Sequence, residues 1–126
     1  GDITRIKLDG YLHNLTENTK DNFNVKGIKN KNNISYIQDD TKFNIKIINQ
    51  NKLILTRENK EMMHTFIFDK DHHTLSTYTL KENMISVDIE VIVDLLDIKE
   101  EEIKVRYQIP DTQTLYEYKI EMRNNL

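Results

Sequence analysis

The sequence contains no cysteine and no tryptophan, and only three glycines and one proline among 126 residues. Without cysteine there is no disulfide framework and no thiolate metal site, and an unstapled fold suits a reducing cytoplasm. The few glycines form no glycine-rich phosphate loop, and neither GxSxG nor HExxH occurs. No apolar run is long enough to span a bilayer, and the opening GDITRIKLDG has no signal-peptide hydrophobic region. These absences lead to the expectation of a cytoplasmic protein without membrane contact. The formal charge of -3 with 31% charged residues describes a solvated surface and lacks the strongly basic field of a dedicated nucleic-acid binder. Asparagine, lysine and isoleucine are abundant, a bias in keeping with an AT-rich genome. A chain of this length suits one domain, 1–126, which buries roughly two-thirds of its unfolded surface.

What the chain does have is alternation. In ISVDIEVIVD, residues 85–94, Ile85, Val87, Ile89, Val91 and Val93 take every odd position. At 180° per residue they share one face, which marks a half-buried strand with the odd side chains turned inward. Ile6 and Leu8, Phe43 to Ile47, Leu53 and Leu55, Ile103 to Ile109 and Tyr116 to Met122 repeat the pattern. The spacing predicts strands near 3–13, 22–29, 33–39, 43–50, 52–58, 61–69, 74–81, 84–95, 102–109 and 115–123. Leu95 and Leu96 break the period, so VIVDLLDIK is expected to hold a short turn. The connections are too short for parallel crossovers and suit hairpins. The expected fold is all-β: a single antiparallel meander of roughly eight to ten strands closed into a barrel, which hides one apolar face and removes free edges.

The segments ISYIQD (34–39), LILTRENKEMM (53–63), IFDKDHHTLSTYTLKEN (67–83), EEEIKVRYQIP (100–110) and LYEYKIEM (115–122) resemble, in order and spacing, the YwiB-like proteins of low-GC Gram-positive bacteria (Firmicutes). The matching positions are Tyr36, Arg57, Met63 and Tyr107. The resemblance implies a calycin-like, lipocalin-resembling β-barrel in an intracellular setting, and implies no particular activity. The chain departs from the family at Gln38, where an acid is common, at Asn59, where glycine is common, and at Lys81-Glu82, in place of an aromatic-glycine turn. Asn tolerates a left-handed backbone and Glu does so poorly, so a reshaped hairpin is expected near residue 82.

Arg57 shares parity with Leu53 and Leu55 and points inward at the end of its strand. There it would hold a carboxylate or phosphate by bidentate bonds, or close the barrel against an internal acid or backbone carbonyls. Tyr36, Tyr107, Tyr116, Tyr118, Phe43 and Met63 would line an apolar pocket or simply fill the interior. Asp69, Asp71, His72 and His73 have metal-ligating chemistry, but neighbouring histidines on a strand point apart, and a solvated hairpin tip is the expectation. KGIKNKNN, residues 26–33, sets lysines near Phe23 and Tyr36, a minimal single-strand nucleic-acid recipe; a solvated loop is expected instead. Asp88 and Glu90 share an outward face, without a pocket in which to do acid-base work.

The sequence therefore points to a binding protein rather than an enzyme, without metal or cofactor. Its partner would be a small apolar or anionic ligand in the barrel interior or mouth, with Arg57, Tyr107, Tyr36 and Met63 as candidate contacts. Such a reading asks for a cavity of at least about 300 Å³. The alternative is an interaction module for a protein or RNA, which asks for Ile48, Ile54, Ile67 or Ile92 to cluster into an exposed patch.

Overall fold

A computed structural model describes residues 3–125. Ten strands follow in order: β1 Ile3–Asn14, β2 Thr19–Asn30, β3 Asn33–Gln38, β4 Thr41–Asn49, β5 Lys52–Glu58, β6 Met62–Asp69, β7 Thr74–Leu80, β8 Ile85–Ile98, β9 Glu102–Ile109 and β10 Thr114–Asn124. Each pairs antiparallel with the next, and β10 pairs with β1 to close the barrel. The expected meander is thus present at the upper end of the expected strand count.

Scarce glycine leaves the turns to Asn, Asp and other polar residues. Asp39 and Asp40 form the two-residue loop between β3 and β4 with φ of 49° and 65°. Two consecutive left-handed residues are what a type I′ hairpin requires, and its twist matches that of the strands. At Asn59 the backbone is not left-handed. Its Oδ1 instead accepts the N–H groups of Glu61 and Met62, so the residue builds its turn through its side chain. In the 81–84 turn the left-handed residue is Met84, at φ 55°, while Glu82 is spared it.

Two segments differ from the sequence reading. Leu95 and Leu96 do not end β8; the register with β9 shifts between Val93 and Leu95, so Asp94 forms a bulge and the strand runs on to Ile98. An extra residue flips the parity, which is why Leu96 is buried after Val91 and Val93 had faced inward. The KGIKNKNN segment is mostly strand, not loop: Lys26–Asn30 belongs to β2 and Asn33 to β3, with a two-residue turn at 31–32 between them.

Five turns, at 15–18, 39–40, 59–61, 81–84 and 110–113, gather at one end, here called the mouth. Near the turns of the other end, Ile34, Leu53, Phe68 and Ile103 are at most 1% exposed and fill the interior. The core thus plugs one end, and the mouth is where side chains change character.

Candidate functional site

Alternation carries the inner face of each strand toward the mouth, where the apolar series ends in polar or aromatic residues. On β3, β4 and β5 the inward positions in register are Tyr36, Phe43 and Arg57, and Phe23 of β2, paired with Gly10 of β1, joins them nearer the rim. Tyr36 stacks on Phe43 at 4.7 Å between ring centroids and on Phe23 at 5.4 Å. The Arg57 guanidinium lies over the Phe43 ring, 5.9 Å from its centroid. Across the mouth, Phe66 and Tyr107 meet at 5.8 Å, and Tyr107 stacks on Tyr116 at 5.3 Å. Two aromatic ladders thus bound a cavity of about 140 Å³, lined also by Leu12, Leu55, Tyr118, Asp21 and Gln38. A larger hollow of about 430 Å³ beside Gly10 lies on the outer face among Asp9, Tyr11, Lys119 and Glu121, open to solvent and outside the barrel.

The electrostatics centre on Arg57. It is half-buried, and its Nε is sealed from solvent without a hydrogen-bond partner. Among the described residues no ion pair involves it, and no internal acid or backbone carbonyl receives its N–H groups. The barrel-closing role that parity alone allowed is therefore not what the structure shows. The cost falls on that Nε, whose hydration has been lost and not replaced, while the rest of the half-buried guanidinium keeps access to solvent. The Tyr36 and Tyr118 hydroxyls share a hydrogen bond of 2.5 Å, and burial pushes both above the ordinary phenol range. Burial does the same to Tyr107, although the nearby Arg57 charge opposes the shift.

Of the four candidate contacts, Arg57, Tyr36 and Tyr107 come together at this cavity. Met63 does not: it is 38% exposed on the outer face, whereas Met62 is the buried neighbour. Parity with Phe66 and Phe68 assigns the inward place to Met62, and a shared residue type obscured it. Two residues of consequence were missed. Phe66 lines the cavity, and His64, paired with Arg57 across β5 and β6, is 7% exposed. Both lie on the inward parity of β6, the signal that would have found them. Tyr116 packs behind Tyr107 and is not part of the lining.

The DKDHH turn is held by its own residues: Asp69 Oδ1 accepts the Asp71 N–H at 2.9 Å, and Asp69 lies 3.5 Å from His72. Ile54, Ile67 and Ile92 are only half-exposed, and Ile54 pairs with Ile67 across β5 and β6. The exposed apolar side chains concentrate instead on the β7–β8 hairpin, at Leu75, Leu80, Met84, Ile85 and Val87. Among the described residues, no helix is long and apolar enough to cross a membrane.

No protein-family model and no curated protein matches the chain. Among solved structures it is similar to the YwiB protein from Bacillus subtilis, with a TM-score of 0.74 and 14% identity over 98% of this chain and 94% of that one. At that identity the likeness speaks to fold, and it agrees with the order of segments noted in the sequence. The chain shares with YwiB an architecture, the closed antiparallel barrel, along nearly the whole length of both.

Proposed function

We propose that this protein is a non-catalytic binder of a small anionic ligand held at the barrel mouth. The observation that carries the reading is Arg57, a half-buried guanidinium in a cavity wall with no counter-ion among the described residues. A ligand oxygen accepting from its N–H groups would supply the partner that the sealed Nε lacks. The volume of about 140 Å³ falls short of the roughly 300 Å³ expected for a drug-sized ligand. The reading therefore narrows to a compact molecule and no longer extends to a large apolar one within the barrel.

Titration with formate, followed by NMR of arginine side-chain and aromatic resonances, tests this. Saturable shifts of the Arg57 Nε–H together with Tyr36, Phe43 and Tyr107 are expected, and Arg57→Gln should abolish them. Shifts confined to the outer face, or none at all, would reject the reading. The exposed inner face of β7–β8 favours a second reading, a protein-interaction module with the barrel as scaffold. On that reading alone, formate leaves the mouth resonances unmoved.

A further inference from the structure

We infer that the mouth selects a compact monocarboxylate with a flat apolar body, of the kind benzoate represents, over phosphate and over small polar acids. The inference rests on the small-anion reading above and deepens it.

Three features of the cavity converge on this class. The first is size: about 140 Å³ is close to the engineered apolar cavity of about 150 Å³ that accommodates benzene in another protein. A single ring fits, and a nucleotide or sugar phosphate does not. The second is lining. Phe23, Tyr36 and Phe43 form one wall, with ring planes 19° and 5° apart, and Phe66 with Tyr107 forms another. Rings stacked on one another keep their faces for each other and turn edges to the cavity, and a flat apolar body is rewarded there by burial and edge-to-face contact. A ligand consisting only of polar atoms would leave those walls without a partner.

The third feature is the donor inventory. Arg57 offers a planar fork, which matches the two oxygens of a carboxylate. The Tyr36 and Tyr118 hydroxyls are already engaged with each other, so at most one of their protons is free to donate outward. One guanidinium with so few hydroxyl donors is a poor cage for the oxygens of a phosphate, which sites built for it surround with several. Asp21 adds a repulsive element. Its carboxylate lines the same mouth without pairing to Arg57, held by a long contact from the Gln38 amide at 3.4 Å. A dianion entering past Asp21 meets a like charge that a monoanion feels only half as strongly, and such repulsion is how sites exclude the wrong partner.

Isothermal titration calorimetry with four probes and three proteins decides the matter. In the unaltered protein, benzoate should bind at least about tenfold more tightly than acetate, the return on burying a ring in an apolar wall. Benzamide, isosteric but uncharged, should lose roughly tenfold to a hundredfold, and Arg57→Gln should cost benzoate a similar factor. Inorganic phosphate should bind more weakly than benzoate, and Asp21→Asn, at an exposed position, should narrow that gap. Phosphate binding as tightly as benzoate, or acetate equalling it, would overturn the monocarboxylate inference while leaving the small-anion reading standing, provided Arg57→Gln abolishes the heat. No heat from any of the four probes would end both.

Discussion

His64 stands in register with Arg57 one strand away, against the Phe66 ring at 3.9 Å and the edge of Tyr78 at 5.2 Å. Its Nε2 reaches the Ser76 hydroxyl at 3.3 Å, and that hydroxyl donates to the Ile89 carbonyl. Burial first, and the Arg57 charge second, lower its pKa to about 4. A second cation beside an unpaired guanidinium would be costly, so the ring stays neutral and the mouth keeps a single positive charge. Because the folded state resists a proton that the unfolded chain accepts near pH 6.5, this contribution to stability is complete above that pH. It should fall away between about pH 6.5 and 4, by at most about 3 kcal/mol. Urea unfolding of the native protein and of His64→Gln across that range checks it. The variant should show the shallower loss; equal slopes would mean that another group is responsible. At this scale Arg57, Tyr36 and Tyr107 were legible, because parity on a strand fixes which way a side chain points. What parity could not show was that, among the described residues, no carboxylate would meet Arg57, since pairing depends on strands far apart in sequence.

The element that departs most from its pattern is β8. Its odd residues all read as inward, and Val91 is indeed fully buried, yet Ile85 is 56% and Val87 51% exposed. The reason is the length of the neighbouring strand: β9 pairs with β8 only from Ile92 onward, so Ile85–Val91 pairs with β7 alone. The β7–β8 hairpin therefore runs past the end of β9, and its inner face has no opposite wall. Alternation reports that one face differs from the other, not whether anything lies across from it. The same applies to the bulge at Asp94, which a lone sequence shows as a broken period and a folded sheet absorbs as an extra residue. Val87→Thr should cost less than about 0.5 kcal/mol, whereas Val91→Thr, on the same face of the same strand, should cost roughly 1–3 kcal/mol. Chemical denaturation of the two variants measures the contrast, and similar losses would place the hairpin against the core.

Over the whole molecule, closure is what brings these elements to a common purpose. Residues Ile6–Asn14 of β1 pair with Tyr116–Asn124 of β10, joining the two extremes of the chain. Outside that seam the Tyr11 hydroxyl donates to Glu117 at 2.5 Å, and Arg106 on β9 donates to the same carboxylate at 2.8 Å. Inside it, Gly10 and Gly27 let the strands curve tightly: a Cβ would collide with the Phe23 ring in the first case and meet the Ser35 carbonyl oxygen at 2.6 Å in the second. Closure and a plugged far end leave the mouth as the place where the interior stays unfinished, and there Arg57 has no ion-pair partner among the described residues. On the proposed reading, such a group is kept for a ligand rather than as a structural clasp. Comparing the ligand-free stability of Arg57→Met with that of the native protein measures this directly, because methionine keeps much of the apolar stem and discards the charge. If Arg57 awaits a ligand, the variant gains about 1 kcal/mol, because methionine leaves no polar atom sealed without a partner. A loss of about 2 kcal/mol or more would show that the guanidinium holds the barrel together, and the mouth would lose its claim to be a binding site.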